Sequence, residues 1–338
     1  QQGLLGITLQ EEDGGQGGTL MDAVIAIQTI GLYCPKSADI VQAGNFGPIR
    51  SFAEYANTEQ KARYLPDLLA GKALISLGMS EPDAGSAVTE LKTSARKVDG
   101  GYIVNGSKVF STHSPDAKVF LIYLRYGPGT EGIGSMLIDR DSPGFEIGKP
   151  ASFMSGERWS ALYFSDCFVP DHNVLLGPGG FKKQISGFNI ERIGNASRSL
   201  ALGRYSFNQA KEYAKTRMQF SRKIAEFQGI QWKFAEMATK LEAAQLLLYK
   251  AATNADGGLP SPYETTMAKY ICNETGFHVT NEALQIMGAS GYSQDNLVEY
   301  CLRRTRGWMI AGGSIEILKN RIAEEVLDMR FDQRPLTK

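Results

Sequence analysis

At Ala73-Leu74-Ile75-Ser76-Leu77 the pattern of the chain changes from helical to extended. Upstream, residues 19 to 72 repeat apolar side chains at helical spacing, as in Leu20, Val24, Ile27 and Ile30. A second segment follows a Thr58 that predicts an N-cap and carries Tyr64, Leu65, Leu68 and Leu69. Downstream, to about 176, the segments are short and rich in β-branched and aromatic residues: Tyr102-Ile103-Val104, Val119 to Tyr123, Met136-Leu137-Ile138 and Ala161 to Phe164. Asp99-Gly100-Gly101, Pro128-Gly129, Ser142-Pro143-Gly144 and Pro170-Asp171 part them as turns. Helical spacing then returns over Ser186 to Arg217 and through Ile230, Phe234, Met237, Leu241, Ala244 and Leu248. Ser261-Pro262-Tyr263-Glu264 predicts a capping box at the start of a further helix, and Leu297 to Trp308 and Ser314 to Met329 complete the set. The fold class is α+β: an N-terminal helical domain over 1–72, a central antiparallel β domain over 73–176 and a C-terminal four-helix-type bundle over 177–338. Without βαβ alternation there is no Rossmann domain, so a nucleotide must be held in another way. Gly177-Pro178-Gly179-Gly180 reads as a boundary breaker, since Pro178 has no N–H to give a phosphate and no Walker pattern follows.

Composition narrows the partners. With 338 residues, 43% of them hydrophobic, the chain can bury a sizeable core. Lys plus Arg and Asp plus Glu both number 36, so no global field draws it to nucleic acid or to an anionic membrane, and a charged ligand must be held by local groups. No apolar run approaches the roughly 20 residues of a spanning helix, so membrane insertion is not expected. Cys34, Cys167, Cys272 and Cys301 lack CxxC spacing, and His113, His172 and His278 are dispersed, which argues against a metal site and a disulfide framework. A reducing interior follows, bacterial cytoplasm or mitochondrial matrix, with no secretion. The chain opens Gln1-Gln2-Gly3-Leu4-Leu5-Gly6 without Met, which reads as the interior of a domain with more chain upstream.

Two neighbouring motifs carry the first chemical signal: Met79-Ser80-Glu81-Pro82-Asp83-Ala84-Gly85-Ser86 and Asn105-Gly106-Ser107-Lys108-Val109-Phe110-Ser111-Thr112. Small residues let backbone N–H groups approach a ligand, Phe110 offers a flat ring and Thr112 a hydroxyl. On residue types alone, the same stretch is a turn followed by a hairpin. Together with Arg217-Met218-Gln219-Phe220, Gln285-Ile286-Met287-Gly288-Ala289 and Gly313-Ser314-Ile315-Glu316-Ile317, the order and spacing resemble the acyl-CoA dehydrogenase family from Leu4 to Met329.

The resemblance implies an FAD stretched between the β domain and the C-terminal helices and completed by a neighbouring subunit of a homotetramer. Met79, Ser80, Phe110, Ser111 and Thr112 would surround the isoalloxazine, with the Thr112 hydroxyl near N5, and Gly85 and Ser86 would lie by cofactor and thioester. Arg217, Gln219, Phe220, Gln285, Gly288 and Ala289 would receive the adenosine diphosphate part, with Ser314 and Glu316 closing over it. An arginine and a helix N-terminus suit a buried pyrophosphate, although an Arg at a helix end is also an ordinary solvated charge.

Removing an α-proton from a thioester needs a carboxylate held against the substrate. Most members of the family place that Glu before the Gly-Thr of the last motif. Here the place reads Ala311-Gly312-Gly313-Ser314, with no carboxylate. A branch resembling isovaleryl-CoA and long-chain dehydrogenases carries it on the first long C-terminal helix, and this chain has Phe188-Asn189-Ile190-Glu191-Arg192 there. The resemblance therefore implies Glu191 as base, FAD N5 as hydride acceptor and an electron-transfer flavoprotein as electron partner. Phe188, Asn189 and Arg192 would line the pantetheine path, and the Gly312 N–H would meet the thioester oxygen. By residue type alone, Glu191-Arg192 is also a solvated helical pair.

Some positions depart from the common pattern: Ala87 for Asp, His113 for Asn, Ser221 for Gly, and Ser155-Gly156-Glu157-Arg158-Trp159 where a small hydroxyl residue commonly meets pantetheine. Glu157 and Arg158 read as a surface pair, and Arg50 as an exposed cation that could otherwise face a substrate carboxylate. Three functions stay open on these residues: α,β-dehydrogenation of an acyl-CoA, a same-fold enoyl-CoA reductase or non-redox acyl-CoA lyase, and a non-catalytic binding paralogue.

Overall fold

The computed structural model describes residues 3–255 and 259–331. Gln1 and Gln2, part of the opening read as domain interior, lie outside the described residues. Four helices come first: α1 (Leu20–Gly31), α2 (Pro35–Ala43), α3 (Pro48–Tyr55) and α4 (Thr58–Leu69). The strands follow as β1 (Ile75–Gly78), β2 (Ser94–Val98), β3 (Gly101–Thr112), β4 (Val119–Arg125), β5 (Ile133–Asp139), β6 (Phe145–Ile147), β7 (Ala151–Ser152), β8 (Arg158–Pro170) and β9 (Val174–Leu176). The C-terminal part holds α5 (Phe181–Thr216), a hairpin of β10 (Met218–Gln219) and β11 (Arg222–Lys223), and then α6 (Gln228–Thr253), α7 (Pro262–Met287), α8 (Ala289–Tyr292), α9 (Leu297–Trp308) and α10 (Ile315–Val326). The contacts divide the chain into two compact units, Gln1–Ala23 with Ile40–Phe188, and Val24–Asp39 with Asn189–Lys338.

The first unit is a sheet with helices against one face. Strand order is β6-β8-β3-β2-β4-β5-β9, with β1 beside β4 and β7 beside β8. Pairing is antiparallel apart from β1·β4 and β2·β4, which run parallel. The intervening β2 and β3 supply the long crossover that a parallel neighbour needs. β4 reads Val119-Phe120-Leu121-Ile122-Tyr123-Leu124 without polar interruption because both its faces are covered. Val119, Leu121 and Tyr123 meet Phe52, Tyr64, Leu65 and Leu68 of α3 and α4. Phe120, Ile122 and Leu124 meet Val104, Leu162 and Phe164 of the sheet itself.

Two helix starts differ from expectation. α4 is capped by Asn57, which accepts from the Gln60 N–H at 2.9 Å while the Gln60 side chain accepts from the Asn57 N–H at 3.1 Å, so Thr58 is the first helical residue. At α7, Ser261 does cap and Pro262 sits in the first turn, but Glu264 turns to the Asn254 amide at 2.9 Å and does not close a capping box. The Glu264 carboxylate also has the Lys250 ammonium 3.5 Å away.

In the second unit α7 touches α6, α9 and α10 and is buried on more than one face. Its Gly276 permits close approach to α5, since a Cβ there would stand 2.3 Å from Ser199 Oγ. A helix buried on several sides must satisfy its polar residues internally, and those of α7 build the site below. Among the described residues no helix is long and apolar enough to cross a membrane.

Candidate active site

In the first unit the site elements are the turn after β1 and the end of β3. Ser80 O accepts from the Val109 N–H at 2.9 Å, and the Lys108 ammonium donates to Met79 O at 3.1 Å and to Glu81 Oε1 at 2.7 Å. Glu81 also accepts from the N–H groups of Lys92 at 2.6 Å and Thr93 at 2.9 Å. Lys108 is fully buried. Burial pulls its ammonium down to about 8, against the opposing pull of the Glu81 carboxylate. Glu81 ends below the usual carboxylate range: burial pushes it up, and the Lys108 charge with the hydrogen bonds more than reverses that. The pair thus holds the Met79-Ser80-Glu81 turn against β3 by a charge-assisted bond at each end.

Beyond Lys108 the β3·β8 register shifts before Ser111. Phe110 sits there at φ 57°, a left-handed conformation that a bulky residue rarely adopts. Its ring is 58% exposed and stands 4.6 Å from Trp159 and 6.3 Å from Phe153. Ser111 is buried and its hydroxyl has no hydrogen-bond partner among the described residues, whereas Thr112 O accepts from Ser76 Oγ at 2.8 Å. Gly85 and Ser86 are exposed, and a Cβ on Gly85 would meet nothing within 4 Å. An exposed ring, an orphan hydroxyl and open backbone fit a flat cofactor with polar edges.

The Ser155 to Trp159 loop differs from the sequence reading. Arg158 Nη2 donates to both carboxylate oxygens of Asp116, at 2.6 and 2.8 Å, while Glu157 lies 3.6 Å from His113 Nε2. Adjacent residues on an extended strand point to opposite sides, so Glu157 and Arg158 find separate partners. Arg50 pairs with Glu54 one turn along α3.

In the second unit Arg217 follows the end of α5 and Gln219 lies in the β10–β11 hairpin; both are exposed, and Phe220 is 89% exposed with φ 51°. Gln285 is exposed near the end of α7, Gly288 ends that helix at φ 59°, and Ala289 opens α8. Ser314 caps α10, its hydroxyl accepting from the Ile317 N–H at 3.5 Å, with Glu316 exposed in the first turn. Among the described residues no hydrogen bond links the hairpin, the α7 end and the α10 start. Each presents free polar groups, and the α10 N-terminus supplies the amides an anion accepts.

The predicted base lies in a different kind of surroundings. Glu191 is half-buried on α5, four residues before the buried Asn195 and so on the same helix face. Arg192 donates to Asn189 Oδ1 and to Thr266 Oγ1, both at 3.0 Å. Burial and then the Arg321 charge bring Arg192 down to about 10. Phe188, on the turn before, belongs to the first unit and packs at 6.4 Å from the Tyr123 ring.

Gly312 and Gly313 have φ of +70° and +94°, so the turn between α9 and α10 relies on glycine. A Cβ on Gly312 would lie 3.9 Å from Asn195 Nδ2 and 3.6 Å from Lys269 Cε. The vacated side-chain direction therefore points between Lys269 of α7 and Asn195 of α5, the latter one turn along from Glu191. Among the described residues the Gly312 N–H has no acceptor.

Sequence reading missed Glu81 with Lys108, Asn195, Asn273 and Lys269. Lys269 is fully buried and donates to Trp308 O at 3.2 Å and Gly313 O at 2.8 Å, and Asn273 Nδ2 donates to the same Trp308 O at 2.8 Å. The usable signal was Lys269 and Asn273 at i and i+4 inside a stretch whose apolar residues cover several faces.

The chain belongs to the acyl-CoA dehydrogenase family, FAD-dependent oxidoreductases that act on acyl-CoA: the family's N-terminal, middle and C-terminal domain profiles match residues 1–72, 76–167 and 178–327. Among individual relatives, it is 35% identical to a 3-sulfinopropanoyl-CoA desulfinase of Variovorax paradoxus, over 98% of this chain and 86% of the other. It is 36% identical to the mitochondrial short/branched chain specific acyl-CoA dehydrogenase of Rattus norvegicus, over 96% of this chain and 76% of the other. The structure of glutaryl-coenzyme A dehydrogenase with glutaryl-CoA matches with TM-score 0.92 and 29% identity, over 98% and 86% of the two chains.

Proposed function

We propose that the protein oxidises an acyl-CoA thioester across its α,β bond, with Glu191 as the base. The observation that carries this reading is the direction of Gly312: the position that lacks a carboxylate points between Lys269 of α7 and Asn195 of α5, the latter one turn along from Glu191. A carboxylate supplied from α5 serves the same locality from another helix.

Glu191 takes the α-proton, the C–H electron pair moves onto the thioester oxygen as an enolate, and the unpartnered Gly312 N–H is a donor suited to that oxygen. Met79, Ser80, Phe110, Ser111 and Thr112 would hold the flavin and the Arg217, Gln285 and Ser314 segments the adenosine diphosphate part, and bound FAD would supply the two-electron acceptor for the β-hydride. The exposed Phe110 ring offers a flat surface for it, and the Glu81–Lys108 pair fixes the Met79-Ser80 backbone. Electrons then pass to an electron-transfer flavoprotein, and assembly is as a homotetramer.

Anaerobic mixing with butyryl-, isovaleryl-, cyclohexanecarbonyl-, phenylpropionyl- and glutaryl-CoA tests the activity. At least one should bleach the oxidised flavin, and failure of all five would sink the reading. Glu191→Gln should slow bleaching by about 100- to 10,000-fold with FAD still bound. Bleaching at the wild-type rate would remove Glu191 from its role.

The vacant Gly312 and the likeness to a desulfinase favour one second reading, a lyase that expels a β-substituent without net oxidation. Formation of sulfite and propanoyl-CoA from 3-sulfinopropanoyl-CoA and water with no electron acceptor, the electron pair of the C–S bond staying on the β-carbon, which takes a proton, would select it.

A further inference from the structure

We propose that the acyl end of the site binds a hydroxyl group between Asn195 and Lys269, so that the preferred substrate is a hydroxyacyl-CoA. This rests on the oxidation of an acyl-CoA and names its substrate class. On that reading Gly312 takes the place of the usual base, so the space its missing side chain leaves lies against the acyl group. A Cβ there would meet Asn195 Nδ2 at 3.9 Å and Lys269 Cε at 3.6 Å. These are ordinary contact distances, so an acyl carbon fits there with both side chains against it. Glu191 lies one turn from Asn195 along α5, which puts the proposed base beside the same space.

This wall is polar where an unsubstituted acyl chain calls for apolar cover. Asn195 is 1% exposed, and its Oδ1 has no hydrogen-bond partner among the described residues. Lys269 is fully buried and donates to Trp308 O at 3.2 Å and Gly313 O at 2.8 Å, which uses two of the three N–H bonds of an ammonium. One turn along α7, Asn273 gives its amide N–H to Trp308 O at 2.8 Å, and its Oδ1, also buried, is likewise without a partner among the described residues. Buried polar groups are normally paired. Ser199, one turn beyond Asn195, follows that rule by donating to Cys272 O at 3.2 Å. An unpaired acceptor beside an ammonium with an N–H to spare matches a group that gives one hydrogen bond and takes another. A hydroxyl does both, accepting from Lys269 and donating to Asn195 Oδ1. A carboxylate only accepts and would set a negative oxygen against Oδ1, and a methylene leaves both groups buried and unpaired.

The test measures binding apart from turnover, by titration calorimetry on FAD-loaded Glu191→Gln enzyme. C2 and C3 are the reacting carbons, so C4 is the first position free to carry the hydroxyl, and the probes are 4-hydroxybutyryl-CoA, butyryl-CoA and glutaryl-CoA. 4-Hydroxybutyryl-CoA should bind about 10- to 100-fold tighter than butyryl-CoA, which leaves the buried polar groups unpaired, and tighter than glutaryl-CoA. Adding Asn195→Leu should cut the ratio of the hydroxybutyryl to the butyryl affinity by about tenfold. Asn195→Ala is read the same way if the Leu form does not fold. A merely structural role for Asn195 would weaken both thioesters alike and keep the ratio, which overturns the proposal. Equal or tighter binding of butyryl-CoA or glutaryl-CoA before that substitution overturns it as well. Failure of the oxidation reading is seen separately, as an oxidised flavin that no thioester bleaches in the wild-type enzyme. Bleaching with no preference for the hydroxyl in the binding ratio sinks this proposal alone.

Discussion

Two buried lysines hold the two site turns, one in each unit, and they are satisfied differently. Lys108 has the Glu81 carboxylate at 2.7 Å as well as Met79 O, so the turn after β1 is fixed by a closed ion pair. Lys269 has two carbonyls and no hydrogen-bonded carboxylate among the described residues, with Glu191 as its acidic neighbour. In the closed pair the Glu81 carboxylate opposes burial and the Lys108 ammonium stays at about 8. An ammonium held by carbonyls alone is drawn lower, to about 7. The contrast teaches that a buried cation keeps its proton better where a carboxylate bonds to it directly.

The largest effect that tests this contrast is loss of the base. Glu191→Gln removes the carboxylate beside Lys269 and should reduce proton abstraction by about 100- to 10,000-fold without loss of FAD, measured by stopped-flow bleaching. Lys108→Met should follow, since it leaves Glu81 buried without its counter-charge. A loss of about 3 kcal/mol in urea unfolding is expected, and a variant as stable as wild type would show that the pair is not a strut.

A third effect is the pH dependence that Lys269 imposes. Its value in the fold, about 7, lies below its ordinary 10.5, so between these limits the unfolded chain holds the proton and the folded chain has released it. Stability from this group therefore rises with pH above about 7, approaching about 1.4 kcal/mol per pH unit. Lys269→Met lacks the term, so wild type should gain on the variant as pH rises, and a constant difference would break the contrast. The smallest effect is at the turn itself. Gly312→Ala meets only ordinary contacts at 3.6 and 3.9 Å, but it forces a side chain to φ +70°, for a loss of about 1 kcal/mol.

The layers were legible because period and punctuation are local properties. β4 announced itself as an apolar run, and Ser261-Pro262 marked the start of α7. Partner choice was less legible: Asn57 took the cap assigned to Thr58, and Arg158 took Asp116 in place of Glu157. These are competitions between nearby groups that spacing does not rank. The motifs around Phe110 and Glu191 could be located by family resemblance, whereas Lys269 and Glu81–Lys108 could not be found by pattern. A lysine in a helical or strand stretch reads as a solvated charge until the fold buries it. Glu81 and Lys108 are 27 residues apart, and Lys269 and Gly313 are 44 apart, so their pairing depends on tertiary structure.

The central claim, that Glu191 removes the α-proton, is tested most directly by exchange at C2 of butyryl-CoA in D2O, followed by mass spectrometry under anaerobic conditions with no electron acceptor. Wild-type enzyme should introduce deuterium at C2, and Glu191→Gln with its full complement of FAD should introduce none above the uncatalysed rate. Deuterium incorporation by the Gln variant at the wild-type rate would contradict the account.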